Sequence, residues 1–232
     1  MDIKGYIFDY GGTLDTAGCH WGKMIWHAYE CHNIPVTEDM FREAYVYAER
    51  TLGRKPVIQP DYNFHKTLEM KLRIEFDYLV EKGYITETGF SLASKRSAVL
   101  EDLYADVKET TGKSREILLK LKEKYPLVLA SNFYGNISVV LEEFGLEGIF
   151  GNIIESAAVG VRKPDPRIFQ MGVDAVGLKT DEVMVVGDSY KKDIVPAHSI
   201  GCQTVWLKGE GWVEENYPDC VADRIIANLK EL

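Results

Sequence analysis

Residues 7–14 read IFDYGGTL, and this stretch is the most informative in the chain. The apolar run over residues 4–8 predicts a buried strand that ends at Asp9. An aspartate in that place can serve as a nucleophile, a metal ligand or a helix cap. The Gly-Gly-Thr sequence at 11–13 favours the first two roles, because glycines let the backbone curl around a small anion and the threonine adds a hydroxyl. We therefore expect an anion site where the first strand ends.

Three further stretches carry polar side chains beside apolar runs. They are LASN at 129–132, RKPDP at 162–166, and VGD at 186–188 followed by Asp193. Each of them alone is also typical of an ordinary turn or loop. Because the carboxyl ends of parallel strands open into one crevice, we expect the four stretches to converge there. Together they can attack, cradle and neutralise a phosphoryl group, and the acidic pair suits magnesium.

Most of the chain alternates between strand and helix, which predicts a doubly wound α/β fold with a parallel sheet of five or six strands. The predicted strands lie at 4–8, 126–130, 149–155, 183–186 and 203–207. The predicted helices lie at 114–124, 136–145, 166–176 and 190–200, with a closing helix at 225–232.

Residues 17–106 differ from the rest, since they have helical periodicity throughout and many aromatic residues. Thr37 is placed to cap one helix. A second helix is expected over residues 63–82, stopped by Gly83. We interpret this block as an all-helical domain inserted after the first strand, with residues 1–16 and 107–232 forming the α/β core.

Composition and charge argue against several classes of protein. The net charge is −9, whereas a nucleic-acid or anionic-membrane partner favours a basic face. No apolar run approaches the roughly 20 residues of a membrane span, and the first strand begins too close to Met1 for a signal peptide. We therefore expect a cytoplasmic protein with reduced cysteines and with neither a nucleic-acid nor a membrane partner. No oligomeric state is predicted.

His27, Cys31 and His32 have a spacing that zinc ligands on one helix face can use. Ordinary structural positions are the favoured interpretation for all three.

The four motifs, in this order, resemble those of the haloacid dehalogenase-like hydrolase superfamily with a helical cap inserted after the first strand. Motif I corresponds to residues 9–14, motif II to Ser131 and Asn132, motif III to Lys163, and motif IV to residues 187–193. The resemblance covers the α/β core and includes no motif of the cap.

This resemblance implies a phosphatase-type site in which Asp9 becomes an aspartyl phosphate. The implied catalytic residues are Asp9, Ser131 and Lys163. The expected phosphate-binding residues are Gly12, Thr13, Ser131, Asn132 and Lys163. The implied ligands of Mg²⁺ are Asp9, Gly11 and Asp188, with Asp193 as a supporting acid near the metal.

Gly11 departs from the family pattern. In phosphatases of this superfamily the residue two beyond the nucleophile is usually an aspartate that protonates the leaving oxygen and then deprotonates water. Glycine keeps the backbone carbonyl that binds metal, so metal binding should survive. General acid–base catalysis, worth about 10²–10⁴-fold, should be lost.

Three interpretations of Gly11 follow. The substrate has a good leaving group, such as an acyl, aryl or anomeric phosphate. Alternatively, another side chain supplies the proton, for instance Tyr10, His20 or His65. In the third interpretation the chain binds a phosphorylated ligand without turnover.

The first interpretation leads to magnesium-dependent hydrolysis of a small phosphorylated metabolite, slow or selective for good leaving groups. A non-catalytic phospholigand-binding protein is the alternative. Dehalogenation is disfavoured, because dehalogenases of this superfamily attack carbon without a metal ion and would have no need of Asp188 as a metal ligand. Phosphonate cleavage needs a cap lysine, and Lys55 is the nearest candidate by position.

Overall fold

One sheet of six parallel strands, in the order β3-β2-β1-β4-β5-β6, forms the centre of the protein. The computed structural model describes residues 2–86, 89–213 and 216–232. The strands are β1 (Gly5–Phe8), β2 (Leu127–Ser131), β3 (Asn152–Glu155), β4 (Val183–Gly187), β5 (Gln203–Leu207) and β6 (Arg224–Ile226). The helices are α1 (Trp21–Cys31), α2 (Glu38–Arg54), α3 (Phe64–Glu81), α4 (Phe90–Lys122), α5 (Ile137–Glu143), α6 (Ser156–Val159), α7 (Arg167–Val176) and α8 (Val195–Ser199). The predicted doubly wound α/β fold is confirmed.

The strand order places a topological switch point beside β1. The chain builds β2 and β3 on one side of β1 and then returns to build β4, β5 and β6 on the other. Phe8 pairs with Leu129 of β2 and with Val186 of β4, so the three strands end at nearly the same level. Ligand sites of open α/β sheets lie at this kind of position.

The central strands are buried on both faces, which explains their nearly continuous apolar sequences. Every residue of β1, β2 and β4 is buried. Tyr6 and Phe8 belong to one hydrophobic cluster, and Ile7 between them belongs to another. Alternate residues therefore face the two helical layers on opposite sides of the sheet.

Four helices, α1 to α4, lie between β1 and β2. The side chains of Thr37 and Asn63 accept hydrogen bonds from the backbone N–H groups of Met40 and Lys66, so α2 and α3 begin where their caps predict. The helix α4 runs unbroken through residues 106 and 107, so the predicted helix at 114–124 is its C-terminal part. The division into core and cap at that point stays a prediction.

The predicted closing helix over residues 225–232 is wrong. Arg224–Ile226 instead forms the edge strand β6, where Ile225 pairs with Trp206 of β5. A 3-10 turn, Leu229–Glu231, follows it. Two adjacent isoleucines favour an extended strand, and β5 offers them an edge with which to pair.

The helix predicted at 190–200 begins as a π-helical turn, Tyr190–Ile194, before α8. Among the described residues, no helix is both long enough and apolar enough to cross a membrane.

Candidate active site

A buried ion-pair network lies at the carboxyl ends of β1 and β4. The ammonium nitrogen of Lys163 lies 2.6 Å from Oδ1 of Asp9 and 2.7 Å from Oδ1 of Asp193. All three side chains are buried. Burial alone would lower the pKa of Lys163, but the charges of Asp193 and Asp9 outweigh it and raise that pKa. Lys163 is therefore a permanent cation against the carboxylate of Asp9.

Thr13 and Gly12 hold Asp188 against the turn that follows β1. The hydroxyl of Thr13 donates to Oδ1 of Asp188 at 3.1 Å and accepts from its backbone N–H at 3.0 Å. Gly12 has φ of +99°, and a Cβ there would overlap the Asp188 carboxylate. Only glycine suits this place, because it tolerates positive φ and lets the carboxylate approach. Two of the five residues predicted to bind phosphate, Gly12 and Thr13, thus position Asp188.

Three carboxylates converge at this point. Asp9, Asp188 and Asp193 each bring an oxygen within 4.8 Å of the other two, and within the described ranges they form the cluster that could hold a metal ion. Burial is the main cause that raises the pKa of Asp188, and the charges of Asp193 and Asp9 raise it further. Burial likewise raises the pKa of Asp193, against the opposing charge of Lys163. When all three carboxylates are ionised, they carry more negative charge than the one lysine balances.

Asn132 fixes the backbone of Lys163. Its amide donates to the carbonyl oxygen of Lys163 at 3.0 Å, and its carbonyl accepts from the Lys163 N–H at 2.9 Å. The neighbouring Ser131 is buried and lines the cavity above the sheet. In this geometry Asn132 positions the lysine, whereas Ser131 lies on the surface that a ligand would meet.

Gly11 leaves open space in the turn after Asp9. A Cβ there would meet the indole nitrogen of Trp21 at 4.0 Å. The buried carboxylate of Asp15 shares that neighbour, accepting from the Trp21 indole N–H at 3.1 Å and from the Gly12 N–H at 2.6 Å. Burial, with a further contribution from the charge of Asp9, raises the pKa of Asp15 to about 7. Asp15 was not among the predicted site residues, although it directly follows motif I.

A cavity of about 790 Å³ opens over this network. The predicted site residues on its lining are Asp9, Gly11, Gly12, Ser131, Asn132, Lys163, Asp188 and Asp193. Thr13 is fully buried and acts through its contact with Asp188.

The three side chains considered as replacements for the acid that Gly11 lacks differ in their burial and in their position relative to the cavity. Tyr10 is fully buried, with its ring against Phe133. His65 pairs with Glu101 and is not a lining residue. His20 does line the cavity, but burial lowers its pKa to about 4, so it is neutral near pH 7.

Two other candidates lie outside the site. Lys55, considered for phosphonate cleavage, is exposed at the end of α2 and is not among the lining residues. His27 and His32, considered as zinc ligands, pair instead with Glu210 and Asp102.

The far wall of the cavity is formed by residues that were not predicted from the sequence. Lys71 and Glu49 line it from α3 and α2 and form an ion pair of 2.6 Å. Lys71 and Glu75 lie on the buried stripe of α3, where apolar residues are expected. A charged residue on a buried face was the signal available in the sequence.

Trp212 joins the loop after β5 to the helices α1 and α2. Its ring packs against Tyr45 with ring centres 4.9 Å apart, and Arg42 donates to its carbonyl oxygen at 2.9 Å. A Cβ at Gly22 would overlap the Trp212 ring. The absence of a side chain at position 22 therefore lets this contact form.

Comparison with known proteins agrees with this geometry. The sequence model of the haloacid dehalogenase-like hydrolases matches residues 3–201. Glyceraldehyde 3-phosphate phosphatase of Pyrococcus furiosus is 28% identical in an alignment of 162 residues that covers 68% of this chain and 66%, just under two thirds, of that protein. Phosphoglycolate phosphatase of Aliivibrio fischeri is 30% identical in an alignment of 234 residues, gaps included, that covers 96% of this chain and 93% of that one.

Solved structures show the same fold. A HAD-hydrolase of Bacillus subtilis, crystallised with magnesium, superimposes with a TM-score of 0.62 at 19% identity, over 100% of this chain and 97% of that one. The family model covers most of the chain, and the motif residues of this chain meet at the carboxyl ends of the central strands. The protein therefore belongs to the haloacid dehalogenase-like hydrolases.

Proposed function

We propose that the protein is a magnesium-dependent phosphatase that hydrolyses a small phosphorylated metabolite through an aspartyl phosphate at Asp9. The observation that carries this proposal is the 2.6 Å contact between the Lys163 ammonium and the Asp9 carboxylate, at the switch point of the sheet. The lysine contacts Oδ1 of Asp9, and Asp9 lines the cavity that a ligand would enter. Both similar curated proteins cited above are named as phosphatases.

The donor set suits a divalent cation. Three clustered carboxylates and one ammonium leave an excess of negative charge, and hard cations prefer oxygen ligands. Asp9, the carbonyl of Gly11 and Asp188 would hold Mg²⁺, which would neutralise charge on the phosphoryl oxygens. Asp193 serves as a supporting residue, since its two oxygens already accept from Lys163 and from the Ser189 N–H.

The reaction proceeds in two displacements on phosphorus. In the first, a carboxylate oxygen of Asp9 forms a bond to phosphorus while the bond to the leaving oxygen breaks. In the second, water attacks the aspartyl phosphate, which releases inorganic phosphate and restores the carboxylate. Lys163 and the Ser131 hydroxyl stabilise the charge that spreads over the phosphoryl oxygens.

Gly11 limits the range of substrates. Because it offers no acid to the leaving oxygen, we expect acyl, aryl or anomeric phosphates to react faster than simple alkyl phosphates. The same glycine is the feature that favours the second candidate, a protein that binds a phosphorylated ligand without turnover.

A phosphate-release screen separates the two candidates. Purified protein is assayed with aryl, acyl, sugar and nucleotide phosphates, with magnesium and with excess chelator. Turnover that requires magnesium and disappears in Asp9→Asn, but persists in a control at the exposed Asp61 (Asp61→Asn), supports the enzyme. If no substrate turns over while Gly11→Asp creates activity, the binding candidate is correct.

A further inference from the structure

The helical side of the cavity carries a buried cation. Lys71 is 8% exposed, and its ammonium lies 4.4 Å from the centre of the Tyr45 ring and 2.6 Å from Oε1 of Glu49. Burial alone would lower the pKa of Lys71, but the charge of Glu49 raises it to about 12. Lys71 is therefore protonated at every physiological pH.

Two further cations line the cavity from the core side. Arg162, next to the catalytic lysine, and Lys192, in the π-helical turn after β4, both line the cavity. Burial would raise the pKa of Glu49, but Lys71, Lys192 and Arg162 hold it below its usual value. Lys71, Arg162 and Lys192 thus line the cavity near Glu49, and on this part of the lining the cations outnumber the one carboxylate, in a chain of net charge −9.

This excess has no evident structural purpose. A buried ion pair adds little to stability, and extra cations beside it repel one another. The cluster is positively charged, whereas the floor of the cavity, which Asp9 and Asp188 form, is acidic. A cavity of about 790 Å³ leaves room above that floor for a ligand larger than a phosphoryl group.

Building on the proposed function, we propose that the substrate carries a second anionic group, a carboxylate or a phosphate, which Lys71, Arg162 and Lys192 bind while Asp9 attacks the scissile phosphoryl group. Arg162 and Lys192 are exposed at the cavity mouth, so they can receive the group as it enters. Lys71 lies deeper and has ammonium hydrogens beyond the one given to Glu49.

A set of aryl phosphates with similar leaving groups tests the proposal. The neutral probe is 4-ethylphenyl phosphate, the anionic probes carry a 4-carboxymethyl or a 4-phosphonomethyl group, and the cationic probe carries a 4-aminomethyl group. We expect kcat/KM about 10- to 100-fold higher for at least one anionic probe than for the neutral one, as charge-assisted hydrogen bonds typically give. The two anionic probes distinguish a carboxylate from a phosphate-like group.

Variants locate the effect. Arg162→Met and Lys192→Met should each raise KM for the preferred anionic probe by a larger factor than for the neutral probe, and should affect KM more than kcat. Lys55→Met removes an exposed lysine outside the lining and should change neither probe.

Two results would overturn the inference while leaving the proposed function intact. One is equal kcat/KM for the neutral and anionic probes. The other is preference for the cationic probe, which would mean that Glu49 recognises the substrate. If no probe is hydrolysed with magnesium, the proposed function fails and this inference fails with it.

Discussion

The indole nitrogen of Trp21 is the atom nearest to where a side chain would begin at Gly11, at 4.0 Å from the constructed Cβ. The contact is an ordinary van der Waals distance, and φ of Gly11 lies outside the left-handed region. The space for an acid is therefore present although the acid is not. Gly11 differs in this from Gly12, where any Cβ would overlap Asp188.

Gly11→Asp should consequently fold normally and gain activity on poor leaving groups. The new carboxyl would protonate the leaving oxygen, and the expected gain in kcat on alkyl phosphates is about 10²–10⁴-fold. Aryl phosphates should gain much less, because their leaving groups need little protonation. Steady-state kinetics on an alkyl and an aryl phosphate measure both effects. An equal gain on both, or none on either, would contradict this account of Gly11.

Thr13→Val should weaken magnesium binding, although Thr13 is not itself one of the proposed magnesium ligands. The variant loses the hydroxyl that holds Asp188 in two hydrogen bonds. Loss of such a supporting contact typically lowers metal affinity about 10- to 100-fold. Calorimetric titration with magnesium measures the change, and Thr13→Ser, which keeps the hydroxyl, should bind close to wild type. Unchanged affinity in Thr13→Val would show that Asp188 does not depend on Thr13.

Gly22→Ala should destabilise the protein by about 1–3 kcal/mol, because its methyl group must displace the Trp212 ring. Gly53→Ala is the matched control, since it also lies inside a helix and its Cβ would meet no atom within 4 Å. There we expect a gain of about 0.5–1 kcal/mol from helix propensity. Urea unfolding of both variants gives the free energies. No loss of stability in Gly22→Ala would mean that Trp212 does not pack against α1 in solution.

Glu75→Gln should remove a pH dependence of stability. Burial raises the pKa of Glu75 to about 7 from 4.5, and the Tyr29 hydroxyl donates to its carboxylate at 3.1 Å. Between pH 4.5 and pH 7 the folded state therefore keeps a proton on Glu75 that the unfolded state has lost. As a result, the free energy of unfolding falls as pH rises over this range. Glutamine keeps an acceptor for Tyr29 but has no charge to bury.

The variant should therefore lose less stability than wild type between pH 5 and pH 8, as measured by urea unfolding at both values. Glu142→Gln, at an exposed position on α5, should follow wild type. Parallel pH profiles for Glu75→Gln and wild type would contradict a protonated Glu75.

The core was predictable because its signals are local. Each central strand is a short apolar run that ends in a polar residue, and parallel topology then brings Asp9 and Asp188 to one edge. Capping residues such as Thr37 indicate where a helix begins, independently of the residues that pack against that helix. The four motifs therefore indicated most of the ion-pair network before any geometry was known.

The features that were not predicted depend on contacts between residues far apart in the sequence. The apolar stripe of α3 singles out Lys71 as a charged residue on a buried face, but only the fold shows that its partner is Glu49, 22 residues earlier in the chain. Trp212 meets Gly22 only after the sheet is complete, and β6 becomes a strand because β5 offers it an edge. No periodicity within a segment could reveal these pairings.

The central claim is that Asp9 becomes phosphorylated, and a crystal structure with magnesium and fluoroberyllate tests it most directly. We expect beryllium bonded to a carboxylate oxygen of Asp9, with its fluorides contacting Lys163 and Ser131. Fluoroberyllate bound away from Asp9, or Asp9 left free in crystals whose metal site is filled, would contradict the account.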